Sequence, residues 1–144
     1  MKKRLWIVPL LLVAAAALGT RAADPLEVTV EDLAAAGVAE AVAVPTEANR
    51  YLPPVRYFRT KEKLSASDAK KDCSDCADLV AVHVADVAAV PSWVATPQLQ
   101  FMRFGARLQL RSYIPETKRV VIVTGPNEAM IRKISNHLLS KFSR

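Results

Sequence analysis

Residues 118–138, KRVVIVTGPNEAMIRKISNHL, restrict the possible folds more than any other part of the chain. Val120, Val121, Ile122 and Val123 form a short continuous apolar run, the pattern of a buried strand. Gly125 and Pro126 interrupt it, and Met130, Ile131, Ile134, Leu138 and Phe142 then recur at three- and four-residue intervals. That spacing places their side chains on one face of a helix, with Arg132, Lys133, Asn136 and Lys141 off the stripe. A strand that turns at a glycine into such a helix must lay the helix back over a sheet.

A second apolar run, LVAVHVADV at residues 79–87, predicts a strand buried on both faces. Beyond Pro91, Thr96 offers an N-cap and Pro97 sits at a first helical position. Leu99, Met102, Ala106, Leu110 and Tyr113 then share one helical face. The order strand, helix, strand, helix predicts an α/β domain with a βαβα core over residues 77–144. Its strands would be a parallel pair joined by a right-handed crossover, and an α+β arrangement is the neighbouring possibility. Residues 98–113 also carry a competing pattern. Ala106, Leu108 and Leu110 alternate with Arg107, Gln109 and Arg111, as in a half-exposed strand, and residues 115–118 would then form a hairpin turn. The Thr-Pro start and the length favour the helix, although Gly105 inside it costs roughly 1 kcal/mol relative to alanine.

Residues 23–76 read as an N-terminal extension of the same domain. Leu26, Val28 and Val30 alternate with Glu27, Thr29 and Glu31, a short strand pattern. Residues 31–36 suit one or two helical turns ending at Gly37, and residues 38–44 a further strand closed by Pro45. Pro53 and Pro54 centre an ordered loop that leads into an edge strand at residues 55–60. Residues 65–75 are polar and suit a short helix.

The first 22 residues have the form of an export signal. Lys2, Lys3 and Arg4 make a positive start, residues 5–18 an apolar stretch, and Gly19, Thr20, Arg21, Ala22 and Ala23 a small-residue region. The apolar stretch is shorter than the ~20 residues that span a bilayer as a helix. Cleavage after Ala22 and release outside the cytoplasm is therefore expected, with an uncleaved anchor as the alternative. Four of the basic residues lie in this segment. The full chain carries +6, whereas the remainder has 16 basic against 14 acidic residues. A mature charge of +2 gives no electrostatic case for nucleic acid.

The turn TGPN at residues 124–127 does not make a nucleotide site. A phosphate-binding loop needs several glycines with Lys-Ser/Thr, or three glycines in a fixed pattern, so that backbone N–H groups wrap the anion. Here one glycine is followed by a proline, which removes a donor, and the segment reads as a connector. Cys73 and Cys76 form a CxxC that precedes a strand and is surrounded by Asp72, Asp75 and Asp78. Nearby carboxylates disfavour a thiolate, so a structural or adventitious disulfide is expected outside the cytoplasm, with intermolecular pairing or free thiols next and a redox centre the least of the alternatives. Cys73, Cys76, His83 and His137 match no zinc spacing, and no metal or cofactor is expected. No Gly-x-Ser-x-Gly elbow occurs and no residue is assigned a catalytic role. Arg103, Arg107 and Arg111 recur every four residues. On a helix they make a basic stripe, either a solvated face or a contact for an acidic partner or anionic headgroups.

Residues 77–142, with LVAVHVADV and SYIPETKRVVIVTGPNEAMIRKISNHLL, resemble the YhcN/YlaJ-type sporulation lipoproteins of endospore-forming bacteria. The features that carry the resemblance are Ala81 to Val84, Pro115, Val121 to Pro126, and Ile131-Arg132 with Ile134. The chain departs from that family at Thr20, where a lipidated cysteine is required, and residues 24–72 have no counterpart. The resemblance implies an extracytoplasmic, spore-associated protein without catalytic residues. The expected function is thus an exported structural or interaction protein of the spore envelope, partnered by an envelope, coat or cortex protein, with peripheral membrane contact possible. The alternatives are a thiol–disulfide protein using Cys73 and Cys76 and an envelope-surface adaptor.

Overall fold

The structure, a computed structural model, describes residues 26–45, 55–61, 78–105 and 107–144. A short helix α1 (Val30–Ala35) leads into β1 (Val42–Val44), followed by β2 (Val55–Arg59) and β3 (Leu79–Asp86). Two 3₁₀ turns, Ser92–Ala95 and Pro97–Leu99, precede β4 (Phe101–Phe104), β5 (Arg107–Ile114), β6 (Arg119–Gly125) and the long helix α2 (Glu128–Phe142). The strands form one six-stranded sheet in the order β1-β2-β3-β6-β5-β4. Each neighbouring pair is antiparallel. The chain is a single mixed domain dominated by its sheet.

The expected βαβα unit is therefore corrected. β3 and β6 are neighbours, but they run antiparallel, and the segment between them is a β-hairpin rather than a crossover helix. Thr96 and Pro97 do start a helical turn, which lasts only over Pro97–Leu99, and the Thr96 side chain makes no cap bond. Gly105 explains the outcome. Its φ of +59° places it in the left-handed region, where it turns the chain between Phe104 and its partner Arg107. The alternation at residues 107–111 thus belongs to β5, and residues 115–118 form the next hairpin turn, with Ile114 paired to Arg119.

Two further expectations change at the N-terminal side. Residues 26–30 do not form a strand, because Thr29 caps α1 in a reciprocal box with Asp32. The helix stops as expected at Gly37, whose φ is +91°. The Gly37 N–H donates to Ala34 and the Val38 N–H to Leu33, the paired bonds of a Schellman ending. Residues 55–59 do form a strand, but β1 flanks it, so it is not an edge. The helix expected at residues 65–75 lies outside the described residues.

α2 closes one face of the sheet. Met130, Ile131, Ile134, Leu138 and Phe142 are all buried, as the spacing predicts. They meet Phe58, Val80, Val82, Val84, Leu108, Val121 and Val123 from the strands, and Val28, Leu33 and Val38 complete the core. Asn127 caps α2, its side chain accepting from the Met130 N–H at 3.1 Å. At the far end Thr117 Oγ1 and Arg119 Nη1 donate to the Phe142 carbonyl at 2.9 and 3.3 Å. The hairpin turn between β5 and β6 thereby satisfies a helix-end acceptor that would otherwise lack an intrahelical partner.

Gly125 has a packing role. A Cβ built there would lie 2.9 Å from Ile131 Cγ2 and 3.4 Å from Val80 Cγ2. Ile131 is fully buried and its β-branch cannot swing away without disturbing the core. The glycine lets the first turn of α2 approach the sheet. Gly125→Ala is expected to destabilise the fold by about 1–3 kcal/mol, the usual range for overpacking. Chemical denaturation checks this, and an unchanged midpoint would remove the close-approach explanation.

Candidate functional site: the open face of the sheet

Strand alternation turns one set of side chains toward α2 and the other away from it. On β3, Val80, Val82 and Val84 are buried, whereas Leu79, Ala81, His83 and Ala85 are half-buried. The run at residues 79–87 is therefore not buried on both faces. Its apolar character serves the core on one side and, on the other, a face without a covering helix among the described residues.

The ladders assemble this open face row by row. One row runs Tyr57, Ala81, Thr124, Gln109 and Met102 across five strands. The next runs Val55, His83, Ile122 and Arg111. Ala81 is small and its neighbours are large, so the surface dips into a trough of about 360 Å³. Val55, Tyr57, Ala81, His83, Arg107, Gln109, Ile122 and Thr124 line it. That volume falls near the lower end of the ~300–1,000 Å³ spanned by small-molecule sites.

Hydrogen bonds fix the polar side of the trough. Gln109 Nε2 donates to Thr124 Oγ1 at 3.0 Å, and Gln109 Oε1 accepts from Arg111 Nε at 2.9 Å. The glutamine is thus held by its neighbour strand and in turn orients the arginine on its own strand. Arg107 donates through Nη2 to the Leu79 carbonyl at the end of the trough. The open-face positions of the six strands carry Arg59, Arg107, Arg111 and His83 but neither Asp nor Glu. Arg59 is neutralised by Asp78, at 2.7 Å. The face is cationic over an apolar floor.

The structure separates the three arginines of the sequence pattern. Arg103 pairs with Leu108 and so stands, exposed, on the side of the sheet that faces α2. Arg107 and Arg111 project to the open face. A four-residue interval along β5 sets them about 13 Å apart. The helical stripe does not exist, but two of its members share a surface. His83 and His137 lie on opposite sides of the sheet, since His137 is on α2 and bonds Asp32 at 3.1 Å. Among the described residues no cluster of His, Cys, Asp or Glu could hold a metal ion. Cys73 and Cys76 lie outside the described residues.

Tyr57, Ala81, Gln109, Ile122 and Thr124 do not appear among the site residues that the sequence suggests. The signal for Gln109 was its alternation, with Arg107 and Arg111, against Leu108 and Leu110, and the others join it only through the register of β2, β3 and β6. No helix among the described residues is long and apolar enough to cross a membrane. Among the described residues, the fold and this face define an antiparallel sheet with one face closed by a helix layer and the other open. No family model, curated protein or solved structure matches the chain.

Proposed function

We propose that the chain is an exported, non-catalytic binding protein that works through the open face of its sheet. The observation that carries this reading is the asymmetry of the sheet. α2 seals one face, while the other presents an apolar floor with oriented guanidinium, amide and hydroxyl groups. Burying such a surface against a partner is favourable at roughly 25 cal/mol per Å² of apolar area. The signal-like residues 1–22 support export. The resemblance to the sporulation lipoproteins supports the spore envelope as the setting, with an envelope, coat or cortex component as the partner. Residues 97–104 and 107–114 differ from what that resemblance implies, since they form a 3₁₀ turn and paired strands where it expects a helix.

The test is position-specific crosslinking in the producing cells. A photoreactive residue at Tyr57 or Tyr113, on the open face, is expected to give a reproducible adduct with an envelope component. The same residue at Asn136, exposed on the outer side of α2, is expected to give none. Adducts from Asn136 alone, or intact chain confined to the cytoplasm, would reject the reading.

A further inference from the structure

Most of the paired arginines in the described residues meet a carboxylate. Arg56 meets Glu27, Arg59 meets Asp78, Arg119 meets Asp86 and Arg132 meets Glu128. Arg111 is arranged differently. Its side chain is half-buried on the open face and engages no carboxylate of the described residues; its Nε is occupied by the neutral Gln109 Oε1 at 2.9 Å. Gln109 is itself held by the bond from its amide nitrogen to Thr124 at 3.0 Å. With Nε tied back toward β5, the Nη1 and Nη2 edge is the part left to meet a ligand. That edge offers parallel N–H donors, the geometry that recognises a planar oxyanion bidentately.

The apolar requirement comes from the same rows. Arg111 is directly paired with Ile122, which pairs with His83, and His83 with Val55. Ile122, Val55 and Ala81 belong to the trough beside the arginine. A ligand that placed an anion on Arg111 would therefore lay its remaining atoms across an apolar depression several strands wide. A purely polar anion would leave that floor uncovered, and an uncharged hydrocarbon would leave the guanidinium edge desolvated without a partner.

We propose that the open face binds a monomeric amphiphilic carboxylate, its head on Arg111 and its apolar chain in the trough over Ile122, Ala81 and Val55. The proposal rests on the open face being the working surface and names the chemical class it selects. Arg111 binds the head, and Gln109 and Thr124 position Arg111. Arg107, at the opposite end of the trough, adds to the positive potential that draws the anion.

The experiment titrates the purified exported chain with octanoate and decanoate below their micelle concentrations, followed by calorimetry and by backbone amide NMR shifts. Saturable one-to-one binding is expected, tighter for decanoate, with shifts at Ala81, Gln109, Arg111 and Ile122. Arg111→Gln is expected to weaken decanoate at least tenfold, and Gln109→Ala to weaken it less, while both variants keep the wild-type denaturation midpoint to within a small shift. Decanol and decylammonium are expected to bind at least tenfold more weakly than decanoate. Equal affinity for decanoate and decanol, binding unaffected by Arg111→Gln, or shifts confined to α2 would overturn the proposal. So would association with anionic vesicles in the absence of monomer binding. If decanoate fails while Tyr57 still crosslinks an envelope component, the ligand class is wrong and the open-face reading stands. If both fail, the open-face reading falls with it.

Discussion

Replacing Leu138 by alanine is expected to lower the unfolding free energy by about 3–4 kcal/mol, in the middle of the range for a fully buried leucine. Leu138 has no exposed surface and lies in the middle of the buried stripe of α2. It belongs to a core shared with buried residues of the strands and with Leu33 of α1, so removal opens space that a rigid antiparallel sheet cannot follow inward. Among the described residues one helix layer covers the sheet, which makes α2 the main source of burial for that face. Urea denaturation checks the value. Leu138→Met keeps the volume and is expected to cost less than about 1.5 kcal/mol. A loss below about 1 kcal/mol for the alanine variant would mean that α2 contributes less to the core than its burial implies.

The C-terminal strand and helix were legible because both patterns were unambiguous. Five residues of α2 point inward where a 3.6-residue period puts them, and the apolar run at residues 120–123 has no helical reading of comparable quality. β3 was legible as a strand but not in its surroundings. Alanine at positions 81 and 85 looks the same in sequence whether a helix covers it or solvent reaches it. The hairpin stood second to the helix for a definable reason. Residues 99–113 satisfy a helical period with five apolar positions and a strand period with three, and Thr96-Pro97 adds a helix-start signal. What outweighs these is Gly105 in a left-handed turn, together with hairpin pairing of β5 to both β4 and β6, which the periodicity of a single segment does not register.

The candidate site was legible as residue types and illegible as a surface. Arg107 and Arg111 stood out by their spacing, but the same spacing grouped them with Arg103, which the sheet sends to its other side. Gln109 and Thr124 gain meaning only from register, since their bond joins adjacent strands. Parallel or antiparallel order also decides which residues share a row. An error in one segment therefore took Arg107, Gln109 and Arg111 off the surface they share with β2, β3 and β6.

The second large effect concerns Asp32, which ties the N-terminal segment to α2. The side chain is 11% exposed and its carboxylate is shared by three groups. Oδ2 accepts from the Thr29 N–H at 2.9 Å and from Lys141 Nζ at 2.8 Å, and Oδ1 lies 3.1 Å from His137 Nε2. Lys141 also donates to the Glu27 carbonyl at 3.1 Å, so one ammonium bridges two points of the segment. Burial alone would raise the carboxyl pKa. The Lys141 ammonium, the Thr29 amide and His137 outweigh it and hold the group below its ordinary value of 3.8. Asp32→Ala is expected to cost about 2–3 kcal/mol at neutral pH, through the lost cap and the charge-assisted bonds together. The pH dependence follows from the direction of the shift. A carboxyl with a depressed folded pKa contributes stability that is complete above its unfolded pKa and is lost as pH falls through the lower folded value. The wild type should therefore lose stability below about pH 4 more steeply than Asp32→Asn, which cannot ionise there. The difference between the two proteins should be largest near neutrality and shrink on acidification. Urea midpoints measured from pH 7 down to pH 2.5 test this, and parallel curves for the two proteins would show that the Asp32 charge does not hold α1 to α2.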